Sequence, residues 1–154
     1  MNIYEKRSKN SYDKKAENYD STFDGKFTVK FKRMMCESVC VNANDTVVDV
    51  ACGNGRLLHM LTEKNSFYGY GVDISEKMIE QAKKLNPTMN FYVAGCEALP
   101  FENGEISPSL VKNTHFIIGG ADPLLRHVYN LNPNPVLPSL LHLTHSVAMH
   151  FHPS

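Results

Sequence analysis

Two glycines and two aspartates stand where a chain could hold a ligand largely by its backbone. The run Thr46-Val47-Val48-Asp49-Val50 passes at once into Ala51-Cys52-Gly53-Asn54-Gly55. A short β-branched run bounded by turn residues makes a buried strand. Gly53 and Gly55 have no Cβ, so the backbone there can bend tightly and approach a ligand closely. Leu57, Leu58 and Leu61 resume helical spacing behind them. The start of that helix offers unpaired N–H groups and the positive end of its dipole, where a carboxylate or phosphate is favoured. A second strand, Phe67 to Val72, closes on Asp73. An acidic residue at that place can accept hydrogen bonds from both hydroxyls of a ribose. Together these residues predict a site for an adenosine-bearing cofactor.

The surrounding elements must bring those residues to one edge. Tyr12, Ala16 and Tyr19 recur at helical spacing among charged residues, and Phe27, Val29, Phe31, Met34, Met35 and Val39 suit a second helix. Asn42 to Asp45 is a polar turn. Ser75 can cap a helix through Met78, Ile79, Ala82 and Leu85 that Pro87 stops. Asn90 to Ala94 reads as a third strand. Strands alternating with helices predict an α/β fold, a parallel sheet with helices on both faces behind an N-terminal helical cap. Right-handed crossovers put the strand C-termini on one edge, where ligands bind in such folds.

A dinucleotide site would read G-x-G-x-x-G, but the corresponding positions are Ala51, Gly53 and Arg56, so the third glycine is missing. The stretch Asp49-x-Ala51-Cys52-Gly53-Asn54-Gly55 instead resembles the first motif of class I S-adenosylmethionine-dependent methyltransferases, with Ala51 in place of the first glycine. Tyr12-Asp13, Ala16 and Tyr19-Asp20 resemble the segment that closes over the cofactor in the small-molecule, type 11-like branch of that family. Gly71-Val72-Asp73-Ile74-Ser75-Glu76-Lys77-Met78 is similar to its second motif. Ala94-Gly95-Cys96-Glu97-Ala98-Leu99-Pro100-Phe101 resembles the segment after its third strand. The four matches fall in order and cover about residues 10–104.

The resemblance implies a Rossmann-like sheet, S-adenosyl-L-methionine as cofactor and methyl transfer to a small-molecule acceptor by in-line attack on the sulfonium methyl. It places Asp49, Ala51, Gly53 and Gly55 beneath the methionine and ribose parts. It gives the ribose hydroxyls to Asp73, packs Ile74 on the adenine face and sets the Cys96 backbone N–H and Glu97 near the adenine. Tyr19 would shield the sulfonium. Where the family usually carries an acidic side chain for the adenine amino group, this chain has Gly95. No general base stands at the family's usual place; His115 is the polar residue nearest a possible fourth strand, and the catalytic residues stay unassigned.

The pattern changes near Gly104. After it only four charged side chains occur, Glu105, Lys112, Asp122 and Arg126, whereas six of the eight prolines and six of the seven histidines lie there. The family's fourth strand is expected next, but the chain reads Glu105-Ile106-Ser107-Pro108, and proline removes a ladder hydrogen bond from a central strand. His115 to Ile118 is a possible short strand displaced along the sequence. The remaining residues are too few for the rest of a seven-stranded sheet. Two regions are therefore expected: 1–104, the cap and cofactor half, and 105–154, an atypical tail in which the C-terminal half of the fold is absent or replaced. A reading-frame shift near codon 104 would produce such a tail. An edge left bare after three strands predicts marginal stability or self-association. His142, His145, His150 and His152 have no regular ligand spacing and no thiolate or carboxylate beside them, so no metal site is expected.

A net charge of zero gives no electrostatic reason to expect nucleic acid or an anionic membrane. The polar start is not a signal peptide, no apolar run is long enough to span a membrane, and a cytoplasmic protein is expected. Cys36, Cys40, Cys52 and Cys96 form no C-x-x-C pair and read as small buried hydrophobes. Two other functions remain open: a truncated, catalytically silent cofactor-binding module, and a dinucleotide-dependent oxidoreductase.

Overall fold

The computed structural model describes residues 3–95, 114–118 and 127–131. The cap is two helices, α1 (Ile3–Lys15) and α2 (Phe23–Ser38), joined by a 3-10 segment, Ala16–Ser21. The sheet holds β1 (Thr46–Val50), β2 (Tyr68–Asp73), β3 (Asn90–Val93), β4 (Thr114–Ile118) and β5 (His127–Leu131). Helix α3 (Arg56–Leu61) links β1 to β2, and α4 (Glu76–Leu85) links β2 to β3.

Each boundary has a local cause. Thr22 caps α2 by accepting a hydrogen bond from the Gly25 N–H, and Ser75 caps α4 by accepting one from Met78. A hydroxyl in that place satisfies one of the N–H groups a helix start leaves open. Helix α4 ends at Leu85, and Asn86 follows as its C-cap directly before Pro87.

The strand order is β3-β2-β1-β4-β5. Strands β1, β2 and β3 run parallel, and Val48 pairs with Tyr70 in register. Glycines at 69 and 71 make room on this ladder: a β-carbon at Gly69 would strike Met89, and one at Gly71 would strike Phe91 and the Cys52 thiol. Val47, Phe91 and Ile117 join Leu57, Leu58, Leu61, Ile79 and Ala82 in the main core. Val48, Val50 and Val72, on the opposite face of the sheet, are equally buried, so both faces are covered.

The bare edge expected beside β1 does not exist. Residues 114–118 lie along β1 in parallel, with Phe116 beside Val48 and Ile117 beside Asp49. The central place in the sheet is filled by a β-branched and aromatic run. Strand β5 then pairs antiparallel with β4, Phe116 opposite Tyr129. Eight residues separate them, fewer than the dozen or so a parallel crossover needs, so the chain turns back on itself. The expectation of marginal stability or self-association therefore loses its stated cause, although β5 now forms the outer strand.

Cys36 and Cys52 are buried as expected, and burial pushes the Cys36 thiol up from its ordinary pKa. Cys40 is exposed instead, because it follows the end of α2 and turns away from the core. Cys96 lies outside the described residues. Among the described residues, no helix is long and apolar enough to cross a membrane.

Candidate cofactor site

The sheet brings the two turns predicted from sequence side by side. Because β1 and β2 are adjacent and parallel, the turn after Val50 and the turn after Asp73 open on the same edge. The first turn takes three left-handed residues, Ala51 at φ 60°, Gly53 at 55° and Gly55 at 72°. Glycine enters that region freely, whereas alanine does so at a cost of about 1–2 kcal/mol.

The two glycines serve different ends. Around Gly53 a β-carbon would meet nothing within 4 Å, so open space lies against its backbone. At Gly55 a β-carbon would lie 2.8 Å from Asn86 Nδ2 and 3.0 Å from the Ala82 β-carbon. Gly55 is thus the place where the turn presses on α4, and Asn86 Nδ2 donates to its carbonyl at 3.1 Å.

Asp73 ties the turns together. Its Oδ2 accepts from the Gly53 N–H at 2.8 Å and its Oδ1 from the Ser75 N–H at 2.9 Å. Asp49 is fully buried in β1, and Ile74, beside Asp73, is half-buried. Asp49, Ala51, Gly53, Gly55, Asp73 and Ile74 therefore gather at the ends of β1 and β2. Cys96 and Glu97 lie outside the described residues.

The expected anion seat at the helix start is weak. Helix α3 has only six residues. So short a helix sums few peptide dipoles, and the Arg56 N–H already points to Asn54 Oδ1 at 3.3 Å. An adenosyl ligand would be held here by the open backbone at Gly53 and by Asp73.

The cap is fastened over both turns by Asp13 and Asp20, two aspartates of the closing segment whose partners the sequence did not name. Ser75 Oγ donates to Asp13 Oδ1 at 2.6 Å, and the Lys77 N–H reaches the same oxygen at 3.4 Å. Burial alone would raise the pKa of Asp13; the Ser75 and Lys9 hydrogen bonds outweigh it and hold the carboxyl below its ordinary value. Farther on, Asn54 Nδ2 donates to Asp20 Oδ1 at 2.8 Å, with the Arg56 guanidinium 3.9 Å from Oδ2. The signal available in the sequence was the repeated Tyr-Asp pair at 12–13 and 19–20.

Tyr19 is buried with Ala16 and Met78, and Tyr12 packs on them with its ring centroid 6.2 Å away. The ammonium of Lys32, a residue only 4% exposed, lies 5.9 Å from the Tyr19 ring centroid. Such a contact offsets part of the cost of burying the cation. Desolvation raises the pKa of Tyr12 above its ordinary value. A separate hollow of about 450 Å³ opens between the 3-10 segment, Asn54 and the far half of α4, where Gln81 and Lys84 line it. It adjoins the Asp20 fastening rather than the space above Gly53.

A family model described as a methyltransferase domain matches residues 47–131. That stretch includes the motif turns and reaches past Gly104 to the end of β5. Among solved structures, the chain is similar to one from the Haloferax volcanii complex between the Trm112 methyltransferase activator and a methyltransferase. The identity is 18%, over 70% of this chain and 58% of that one, with a TM-score of 0.54. It is also similar to Haemonchus contortus phosphoethanolamine N-methyltransferase 1, solved with phosphoethanolamine and S-adenosylhomocysteine. There the identity is 16%, over 80% of this chain and 34% of that one, with a TM-score of 0.55. At such identities the likeness is one of fold, and the chain spans less than two thirds of the length of either structure. No curated protein matches the chain significantly in sequence.

Proposed function

The chain belongs to the methyltransferase-domain family, and on that premise we propose that it binds S-adenosyl-L-methionine at the ends of β1 to β3 and acts as a cytoplasmic methyltransferase on a small molecule. The observation that carries the reading is the open space against the Gly53 backbone, next to a carboxylate whose two oxygens are already fixed by Gly53 and Ser75. That cradle suits a ribose beside Asp73 and the methionine part over the turn, as the motif resemblance implies.

When bound, the cofactor supplies a methyl group activated by its sulfonium sulfur. The chain's part is to hold and orient. Asp73 accepts from the ribose hydroxyls without having to reorganise, since two backbone N–H groups fix its carboxylate beforehand. The left-handed turn at Ala51, Gly53 and Gly55 lets the backbone lie under the ligand. Tyr19, on the fastened cap, closes the methyl-bearing end and excludes water. Ile74 packs on the adenine, the contact that the motif resemblance assigns to it. In-line methyl transfer draws chiefly on proximity and orientation, so such a site needs no covalent nucleophile.

The test is isothermal titration of the purified chain with S-adenosylmethionine, S-adenosylhomocysteine and NADH. Saturable binding of the first two alone supports the reading. Binding of NADH instead would revive the dinucleotide alternative, and a folded sample that binds none of them would sink the cofactor assignment. A second reading is a module that binds cofactor without turnover. Methylation of any acceptor by this chain would exclude that one.

A further inference from the structure

Helix α1 carries three charged residues on one face. Glu5, Lys9 and Asp13 follow one another at intervals of four, which stacks side chains along a single line of a helix. The lower end of that line is fixed: Asp13 is bonded to Ser75 at the turn after β2. The middle is fixed as well. Lys9 lies 2.9 Å from Asp13 Oδ2 and 3.7 Å from Glu76 Oε1, at the start of α4. Two turns from Asp13, about 12 Å by helix rise, the line ends on Glu5.

Glu5 ends against the segment that leaves β3. A β-carbon at Gly95 would lie 2.8 Å from Glu5 Oε1. The carboxylate therefore stands where a side chain at position 95 would begin. That segment is itself held to the end of β2, since the Ala94 N–H donates to the Asp73 carbonyl at 3.0 Å.

Sheet order then assigns the ligand chemistry. The inference rests on the cofactor reading above. With the methionine part over the turn after β1 and the ribose at Asp73 on β2, the base continues toward the neighbouring strand, β3. Adenine presents an exocyclic amino group, a donor that needs an acceptor at that rim. Gly95 has no side chain to offer one. We propose that Glu5, delivered from the N-terminal cap, accepts the hydrogen bond of the adenine amino group in place of a side chain at position 95.

The arrangement makes base recognition depend on the cap. The helix that covers the site carries the acceptor, so an adenine-bearing ligand favours the closed cap and a ligand lacking the amino group favours it less. The requirement is chemically narrow: a purine with a carbonyl at that carbon presents an acceptor, not a donor, to the carboxylate.

The experiment is isothermal titration of the full chain with S-adenosylhomocysteine and with its deaminated analogue, S-inosylhomocysteine. The wild-type chain should prefer the adenine ligand by about tenfold or more, the loss expected for a hydrogen bond to a charged group. Glu5→Ala should remove most of that preference, weakening the adenine ligand and sparing the inosine one. The double variant Glu5→Ala/Gly95→Asp should restore the preference, because truncating Glu5 frees the space a side chain at 95 would enter. A Glu5→Ala chain that keeps the wild-type preference, or that loses both ligands equally, overturns the proposal. So does a double variant that binds both ligands without regaining the preference. A wild-type chain that binds neither ligand fails at the earlier step, the cofactor reading itself.

Discussion

The Asp73 carboxylate accepts the Gly53 N–H at 2.8 Å across the gap between two adjacent strands. One bond thus fixes both the open turn after β1 and the acidic end of β2. It spans 20 residues and locks the turn in the shape that leaves Gly53 facing open space.

Replacing Asp73 by Asn should therefore damage stability and binding together. The amide keeps one acceptor oxygen, so one of the two backbone N–H groups loses its partner. The expected cost is about 1–3 kcal/mol in stability. Loss of the ribose acceptor should lower S-adenosylhomocysteine affinity by about tenfold or more. Thermal unfolding and titration of the same sample check both. An unchanged melting temperature with unchanged affinity would show that the bond fixes nothing.

The two turn glycines should separate these effects. Gly53→Ala places a methyl group in open space, so its stability cost is that of left-handed alanine alone, about 1 kcal/mol, while the methyl enters the ligand's place. Gly55→Ala adds a collision with Asn86 Nδ2 and Ala82 to the same strain, and about 2–4 kcal/mol is expected. The first variant should melt nearly normally and bind poorly. The second should melt early. The reverse order would contradict the division of labour between them.

The parts legible in the sequence were those set by neighbours in the chain. The strand 46–50, the left-handed turn, Asp73 at a strand end and the Ser75 cap each depend on a few consecutive residues, and each stands where it was expected. Strand β4 was half visible as His115 to Ile118, but its seat beside β1 is a long-range pairing that local pattern does not encode. The cap fastenings were invisible for the same reason, since Asp13 reaches Ser75 over 62 residues and Asn54 reaches Asp20 over 34. Gly55 was grouped with Gly53 because both lack a side chain, and only the packing of Asn86 and Ala82 distinguishes them.

Ala51 carries a strain that the sequence disclosed only as a missing glycine. It sits at φ 60° with a β-carbon to accommodate. Ala51→Gly should relieve that strain by about 1 kcal/mol, less what glycine adds to the freedom of the unfolded chain. A melting temperature a few degrees higher, with cofactor affinity kept, is the expected result in a thermal scan. A lower melting temperature would mean that the alanine methyl packs well enough to outweigh its strain.

The Asp13 fastening should fail in acid. Its carboxyl is held below the ordinary value of 3.8, so the folded chain binds that proton less readily than the unfolded one. The stabilisation is then fully present above about pH 4 and is lost as the pH falls through the lower, folded value. Asp13→Asn should be less stable than the wild-type chain by about 1 kcal/mol near neutrality, since Ser75 and Lys9 lose a charged acceptor. That gap should narrow below pH 3.8, where the wild-type carboxyl also becomes neutral. Denaturant titrations of both chains at pH 7, 5, 4 and 3 measure it directly. A gap that persists undiminished at pH 3 would mean that shape, not charge, holds the cap to Ser75.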